Sequence, residues 1–132
     1  QEIIPNDPTM LYEYATTYLP SFSFEKEAIL NRAIEILADT SHSRRELTIL
    51  SGDIRTALQE PDLACQDYNQ ALISQPHDPK TRHKLVIALL EAGKTEEAFE
   101  EAKRLVDGSP SNGTYILLLK EIKSSIGQKR GS

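Results

Sequence analysis

The sequence has no tryptophan, one cysteine and one methionine, and its aromatic side chains are five tyrosines and three phenylalanines in 132 residues. The lone Cys65 excludes an internal disulfide and fits a reducing compartment. No apolar run is long enough to span a bilayer: even Tyr115-Ile116-Leu117-Leu118-Leu119 is cut off by Lys120. The first residues lack the basic-then-apolar pattern of a secretory signal, so a cytoplasmic location is expected. Glycine is sparse, and Gly52 and Gly93 stand alone, which excludes a glycine-rich phosphate loop. Cationic excess is absent as well. The formal charge of −5 gives no global attraction to nucleic acid or an anionic membrane, and the arginines are not interleaved with aromatics, so no nucleic-acid partner is expected.

The chemistry of a catalytic or metal centre is equally thin. A catalytic site needs a nucleophile or acid/base group with a positioned partner in a sheltered pocket. Cys65 follows Ala64 at a helix packing position and reads as an inert structural thiol. His42 and His77 fall in connections, and His83 lies between Arg82 and Lys84, which would repel a metal cation. The expectation is therefore no enzyme, no metal and no cofactor.

What is present is a repeat. Ala64 and Ala98, Tyr68 and Ala102, Ala71 and Leu105, and Pro76 and Pro110 are each 34 residues apart (98 − 64 and so on), with small or apolar character kept and the prolines repeated outright. Asp78-Pro79 and Asp7-Pro8 each read as an aspartate N-cap followed by proline at the first helical position, where its missing N–H costs nothing. Ser43, three residues before Glu46, reads as a capping box for a middle unit. Leu11, Tyr14, Ala15 and Tyr18 recur at the spacing of one buried helical face, as do Leu47, Leu50, Ser51 and Ile54, with Leu85, Val86 and Leu89 in the last unit. Between the helices of the first unit a turn is expected at Pro20-Ser21-Phe22-Ser23. The second helix, Glu25 to Asp39, would bury Ala28, Ile29, Ala33, Ile36 and Leu37. The turn at Gln59-Glu60-Pro61-Asp62 reads as one residue longer than that at Ala92-Gly93-Lys94-Thr95. A last helix, about 114–126, is apolar on one side and polar on the other, as a terminal cap should be.

These units resemble tetratricopeptide repeats. In the last one Leu85 matches the family's large residue of the first helix, Gly93 the turn glycine, Ala98 the packing alanine and Pro110 the closing proline. The middle unit keeps Ala64, Tyr68, Ala71 and Pro76 but has Leu47 near its start, where an aromatic is favoured. The first departs further, with Arg32 in place of a tyrosine and Thr40 in place of the closing proline. The resemblance implies an all-α fold: a right-handed superhelical solenoid of antiparallel helical hairpins with about seven helices. It is expected as a single domain over 1–132, with repeats near 8–42, 43–78 and 79–112, a capping helix near 114–126 and a flexible tail over 127–132.

The same resemblance implies a concave groove lined by the first helices and a noncatalytic adaptor that holds a peptide or helix of a partner protein there. Carried over by position, the lining is Tyr12, Glu13 and Thr16, then Arg45, Thr48, Ile49, Gly52 and Arg55, then Lys80, His83, Lys84, Ile87 and Glu91. Of these, Tyr12, Arg45, Ile49, Arg55, Lys80, His83, Lys84 and Ile87 are the expected partner contacts, a mainly basic strip with apolar spots suited to an acidic or mixed segment. The second helices carry acid instead, at Glu25, Glu27, Glu35 and Asp39 and at Glu96, Glu97, Glu100, Glu101 and Asp107. Arg44, Arg45, Lys80 and Arg82 sit in first turns, where the helix dipole disfavours cations by about 0.3–1 kcal/mol each. Either a partner favours them there or they are tolerated as weak surface charges. Glu100 and Arg104 have the spacing of an exposed ion pair.

The family's clamp for the acidic tail of heat-shock chaperones has its two last cationic positions here at Lys80 and Lys84. Tyr12, Thr16 and Ile49 stand where it has Lys, Asn and Asn, so the terminal carboxylate would lack charge-assisted partners and that ligand is not expected. The competing class of function is a structural segment of a larger protein, or a homodimer, self-associating through its terminal helices.

Overall fold

The computed structural model describes residues 7–20, 23–39 and 45–130; the side chains of Asp39, Arg45, Glu46 and residues 128–130 lie outside the description. Among the described residues seven helices follow one another: α1 (Pro8–Tyr18), α2 (Phe24–Asp39), α3 (Arg45–Ala57), α4 (Pro61–Ser74), α5 (Pro79–Glu91), α6 (Thr95–Gly108) and α7 (Gly113–Arg130). No strand occurs among the described residues. The final helix runs four residues past the end expected at Ile126, into the stretch expected as a tail.

Local chemistry sets the helix starts. Asp7 accepts from the backbone N–H of Thr9 at 2.8 Å and of Met10 at 3.3 Å, and Asp78 accepts from Lys80 N–H at 3.2 Å, each followed by proline at the first helical position. Thr81 adds its hydroxyl to Asp78 Oδ2 at 2.6 Å, so this buried threonine is satisfied within its own cap. Ser23 caps α2 through Lys26 N–H, and Asn112 caps α7 through Tyr115 N–H. The capping box at Ser43 and Glu46, and Arg44, Thr40 and His42, lie outside the described residues or their described side chains.

The α3–α4 and α5–α6 turns are built alike, and neither is longer. In one, Gln59 N–H bonds Thr56 O at 3.0 Å and Glu60 N–H bonds Arg55 O at 2.8 Å. In the other, Gly93 N–H bonds Leu90 O at 3.1 Å and Lys94 N–H bonds Leu89 O at 2.9 Å. Both are the paired bonds of a Schellman ending, with the left-handed residue at Gln59 (φ 61°) or Gly93 (φ 79°). Of the turn expected between α1 and α2 at Pro20-Ser21-Phe22-Ser23, Ser21 and Phe22 lie outside the described residues.

The chain forms two compact units, Gln1–Asp67 and Tyr68–Ser132. In the first, α1 pairs with α2 and α3 packs beside them around Leu11, Ala15, Leu30, Ala33, Leu37 and Ile54, all nearly inaccessible. The face expected on α2 is rotated: Leu30 is buried and Ala28 exposed. The 34-residue period, extended backwards, puts Leu30, not Ala28, in line with Ala64 and Ala98. On α1, Leu11 and Ala15 face inward as expected, whereas Tyr14 and Tyr18 are 44% and 74% exposed and stack on each other with ring centroids 5.6 Å apart.

In the second unit α5 and α6 form a hairpin and α7 packs on α6. Leu85, Val86, Ala88 and Leu89 of α5, Ala98, Ala102 and Leu105 of α6, and Tyr115 and Ile122 of α7 are buried. Lys120, Glu121 and Lys123 of α7 are exposed.

Candidate functional site

Each unit places its expected contact residues differently, and the second unit has the clearer surface. Along α5, Lys80, Lys84 and Ile87 recur at i, i+4 and i+7 on one exposed strip, opposite the buried Leu85, Val86 and Leu89. Pro79 and the Asp78 cap fix where that strip begins, and Leu85 and Leu89 fix which side it faces. His83 is half-buried, its ring 5.4 Å from that of Tyr115 on α7. It therefore supports the strip from beside it.

Arg82, the remaining cation of this stretch, is turned away from solvent. Its guanidinium donates to Glu101 of α6 and to the Pro76 carbonyl at 2.8 Å. A structural pairing thus accounts for one of the first-turn cations for which the sequence left a partner or simple tolerance as the alternatives. Glu101 also receives Arg104 at 2.5 Å, while Glu100 pairs with Lys103 at 3.0 Å. The ion pair expected between Glu100 and Arg104 is replaced by these two because Glu101 alone faces both arginines.

In the first unit the expected basic character is offset. Arg55 of α3 pairs through Nε with Asp67 of α4 at 3.2 Å, and the Ser51 hydroxyl donates to the same carboxylate at 2.7 Å. Burial pushes the Asp67 carboxyl up from its ordinary range, against the opposing effects of Ser51 and Arg55. Tyr12 is half-buried against the first unit's core, and burial together with the nearby negative charge of Asp53 holds its hydroxyl above the usual tyrosine range. Ile49 is half-buried, and the Arg45 side chain lies outside the described residues.

Two acids thus organise the hairpins: Asp67, which the sequence analysis did not single out, and Glu101, which it counted only among the acids of the last hairpin's second helix. Asp67 and Glu101 stand 34 residues apart, one on each second helix, and each turns a carboxylate to an arginine of the preceding helix. Recurrence of an acid at one repeat position was the available signal. Among the described residues no three His, Cys, Asp or Glu side chains converge to hold a metal ion, and no helix is long and apolar enough to cross a membrane. A surface cavity of about 580 Å³ in the second unit lies between the start of α5 and the end of α6, lined by Pro76, Pro79, Arg82, Arg104 and Leu105 among others.

No protein-family model matches the sequence, and no curated relative matches it. Solved structures do match. The first TPR domain of human RPAP3 superposes with a TM-score of 0.69 at 20% identity, over 98% of this chain and 99% of that one. The chain has the tetratricopeptide-repeat fold. The first TPR of Spaghetti (RPAP3), bound to the HSP90 peptide SRMEEVD, is similar at TM-score 0.65 and 19% identity, covering 95% of this chain and 99% of that one. The Yersinia enterocolitica type III secretion chaperone SycD, in complex with a peptide of the translocator YopD, is similar at TM-score 0.62 and 18% identity, over 98% and 99%. In this tetratricopeptide fold α5 and α6 are the pair whose sequence keeps the family's pattern most fully.

Proposed function

We propose that the chain is a noncatalytic protein-interaction domain that holds an acidic peptide or helix of a partner protein against the exposed strip of α5. The observation that carries this reading is the arrangement on α5: Lys80 and Lys84 exposed with Ile87 in line, while Arg82 is bound to Glu101. Two ammonium groups beside an apolar side chain suit a segment that alternates carboxylates with a hydrophobic residue. Support also comes from structures of the same fold, one bound to an HSP90 peptide and another in complex with a YopD peptide. The heat-shock tail itself is a poor fit, because Tyr12, Thr16 and Ile49 supply no cation or amide for its terminal carboxylate.

The test is capture from native lysate with the wild-type chain beside a Lys80→Glu, Lys84→Glu variant, after matching their helical circular dichroism. A partner held by the wild type and lost by the variant supports the reading. Identical partner sets on both would move binding away from α5.

A second reading, self-association, is favoured by one observation. Met10, Tyr14 and Tyr18 recur every four residues on α1 and are 55%, 44% and 74% exposed. Such a stripe suits an isologous helix pair. Sedimentation of the wild type and a Tyr14→Glu variant over a hundredfold dilution series distinguishes the two readings, since only self-association predicts a dimer that the variant abolishes.

A further inference from the structure

The second helix of the first unit begins one turn early. In the register that matches Leu30 with Ala64 and Ala98, the first residues of α4 and α6, Pro61 and Thr95, both correspond to Glu27 (61 − 34 and 95 − 68), whereas α2 starts at Phe24. The Ser23 hydroxyl accepts from Lys26 N–H at 3.0 Å and fixes the added turn. That turn sets Phe24 at the surface, 93% exposed, the most exposed large apolar side chain among the described residues. Beside it, between the start of α2 and the end of α3, lies a cavity of about 250 Å³ lined by Phe24, Lys26, Glu27, Leu30, Ala57 and Leu58 among others. An apolar cavity of roughly 150 Å³ admits a benzene ring, so this one has room for a phenylalanine side chain. The ring of Phe24 itself stands at the rim, in water.

We propose that the cavity takes Phe24 of a second copy of the chain, in a twofold contact where each copy both gives and receives a phenyl ring. This rests on the self-association reading and supplies its anchor. The end of α1 and the start of α2 lie at the same end of their hairpin, so Tyr18 continues the α1 stripe toward Phe24 and one partner copy covers both. Charge singles out a second copy. Lys26 and Glu27 stand next to each other on the cavity lining, and no ion pair to either occurs among the described residues. A twofold axis brings Lys26 of one copy to Glu27 of the other and the reverse, which makes the rim complementary to itself. An unrelated apolar partner would cover the cavity and leave both charges unmatched.

The test is sedimentation of the full chain over a dilution series, for the wild type, Phe24→Ala, Lys26→Glu and the exchange Lys26→Glu, Glu27→Lys. The wild type is expected as a reversible dimer. Phe24→Ala should raise its dissociation constant by about a hundredfold or more, because two rings leave the interface at once. Lys26→Glu should weaken the dimer by setting like charges together, and the exchange should restore it. A wild-type dimer whose dissociation is unchanged in Phe24→Ala, or is not recovered by the exchange, overturns the seating of Phe24 and leaves self-association through α1 standing. A wild type that is monomeric throughout overturns both. Because Phe24 is exposed, its truncation leaves the fold intact, which circular dichroism of each variant checks.

Discussion

Arg82 of α5 and Glu101 of α6 are bound to each other with side chains only 15% and 14% exposed. Removing either partner leaves a shielded charge incompletely matched. Arg82→Ala and Glu101→Ala are each expected to cost about 2 kcal/mol of stability in urea unfolding, and the double variant less than the two together. Strict additivity would mean that the pair is not coupled.

The left-handed turn residues offer the opposite sign. Gln59 and Gly93 are 34 residues apart and both have positive φ, 61° and 79°. Only glycine adopts that conformation without a Cβ penalty of about 1–2 kcal/mol. Gln59→Gly should stabilise the chain by about 0.5–1 kcal/mol after the greater entropy of its unfolded state is allowed for, and Gly93→Ala should destabilise it by about 1 kcal/mol. Nothing lies within 4 Å of a Cβ at Gly93, so the latter loss would be one of backbone conformation alone. Thermal midpoints of the two variants moving in the same direction would contradict this.

Ala98 is inaccessible where α6 meets its neighbours. Ala98→Leu is expected to lose about 1–3 kcal/mol by overpacking, measured as a lower urea midpoint with unchanged slope.

Asp67 gives the chain a pH dependence. Its carboxyl is held above the ordinary range by burial, so the folded chain keeps a proton that the unfolded chain has already released. Stability is therefore lost as pH rises through that interval. Relative to Asp67→Asn, the wild type should weaken as pH rises above the ordinary aspartate range, about 4. A wild type that strengthens over this range would show that Arg55 and Ser51 outweigh burial.

How far the sequence discloses this molecule depends on the kind of information involved. Caps and turns are local, so Asp7-Pro8, Asp78-Pro79 and Gly93 mark helix ends directly, and the 34-residue spacing identifies the hairpins of the second half. Periodicity gives the angle between residues on a helix but not which angle meets a neighbour, which is why Ala28 was expected inside where Leu30 lies, and why Tyr14 and Tyr18 face out. Charge partners are less legible still. Arg82 and Arg55 look like free cations along the chain, and only the approach of Glu101 and Asp67 from the next helix fixes them. Lys80, Lys84 and Ile87 are exposed on one strip of α5, and His83 is drawn aside by Tyr115, a contact that spans 32 residues (115 − 83) and leaves no local trace.

The most direct test of partner binding at α5 is photo-crosslinking from a benzophenone amino acid placed at Ile87, with the same group at Ile73 of α4 as the comparison, since both side chains are exposed. The account predicts a covalent adduct with a partner polypeptide from position 87, suppressed by Lys80→Glu, Lys84→Glu, and none from position 73. Adducts from position 73 alone, or from both positions regardless of the lysines, would contradict it.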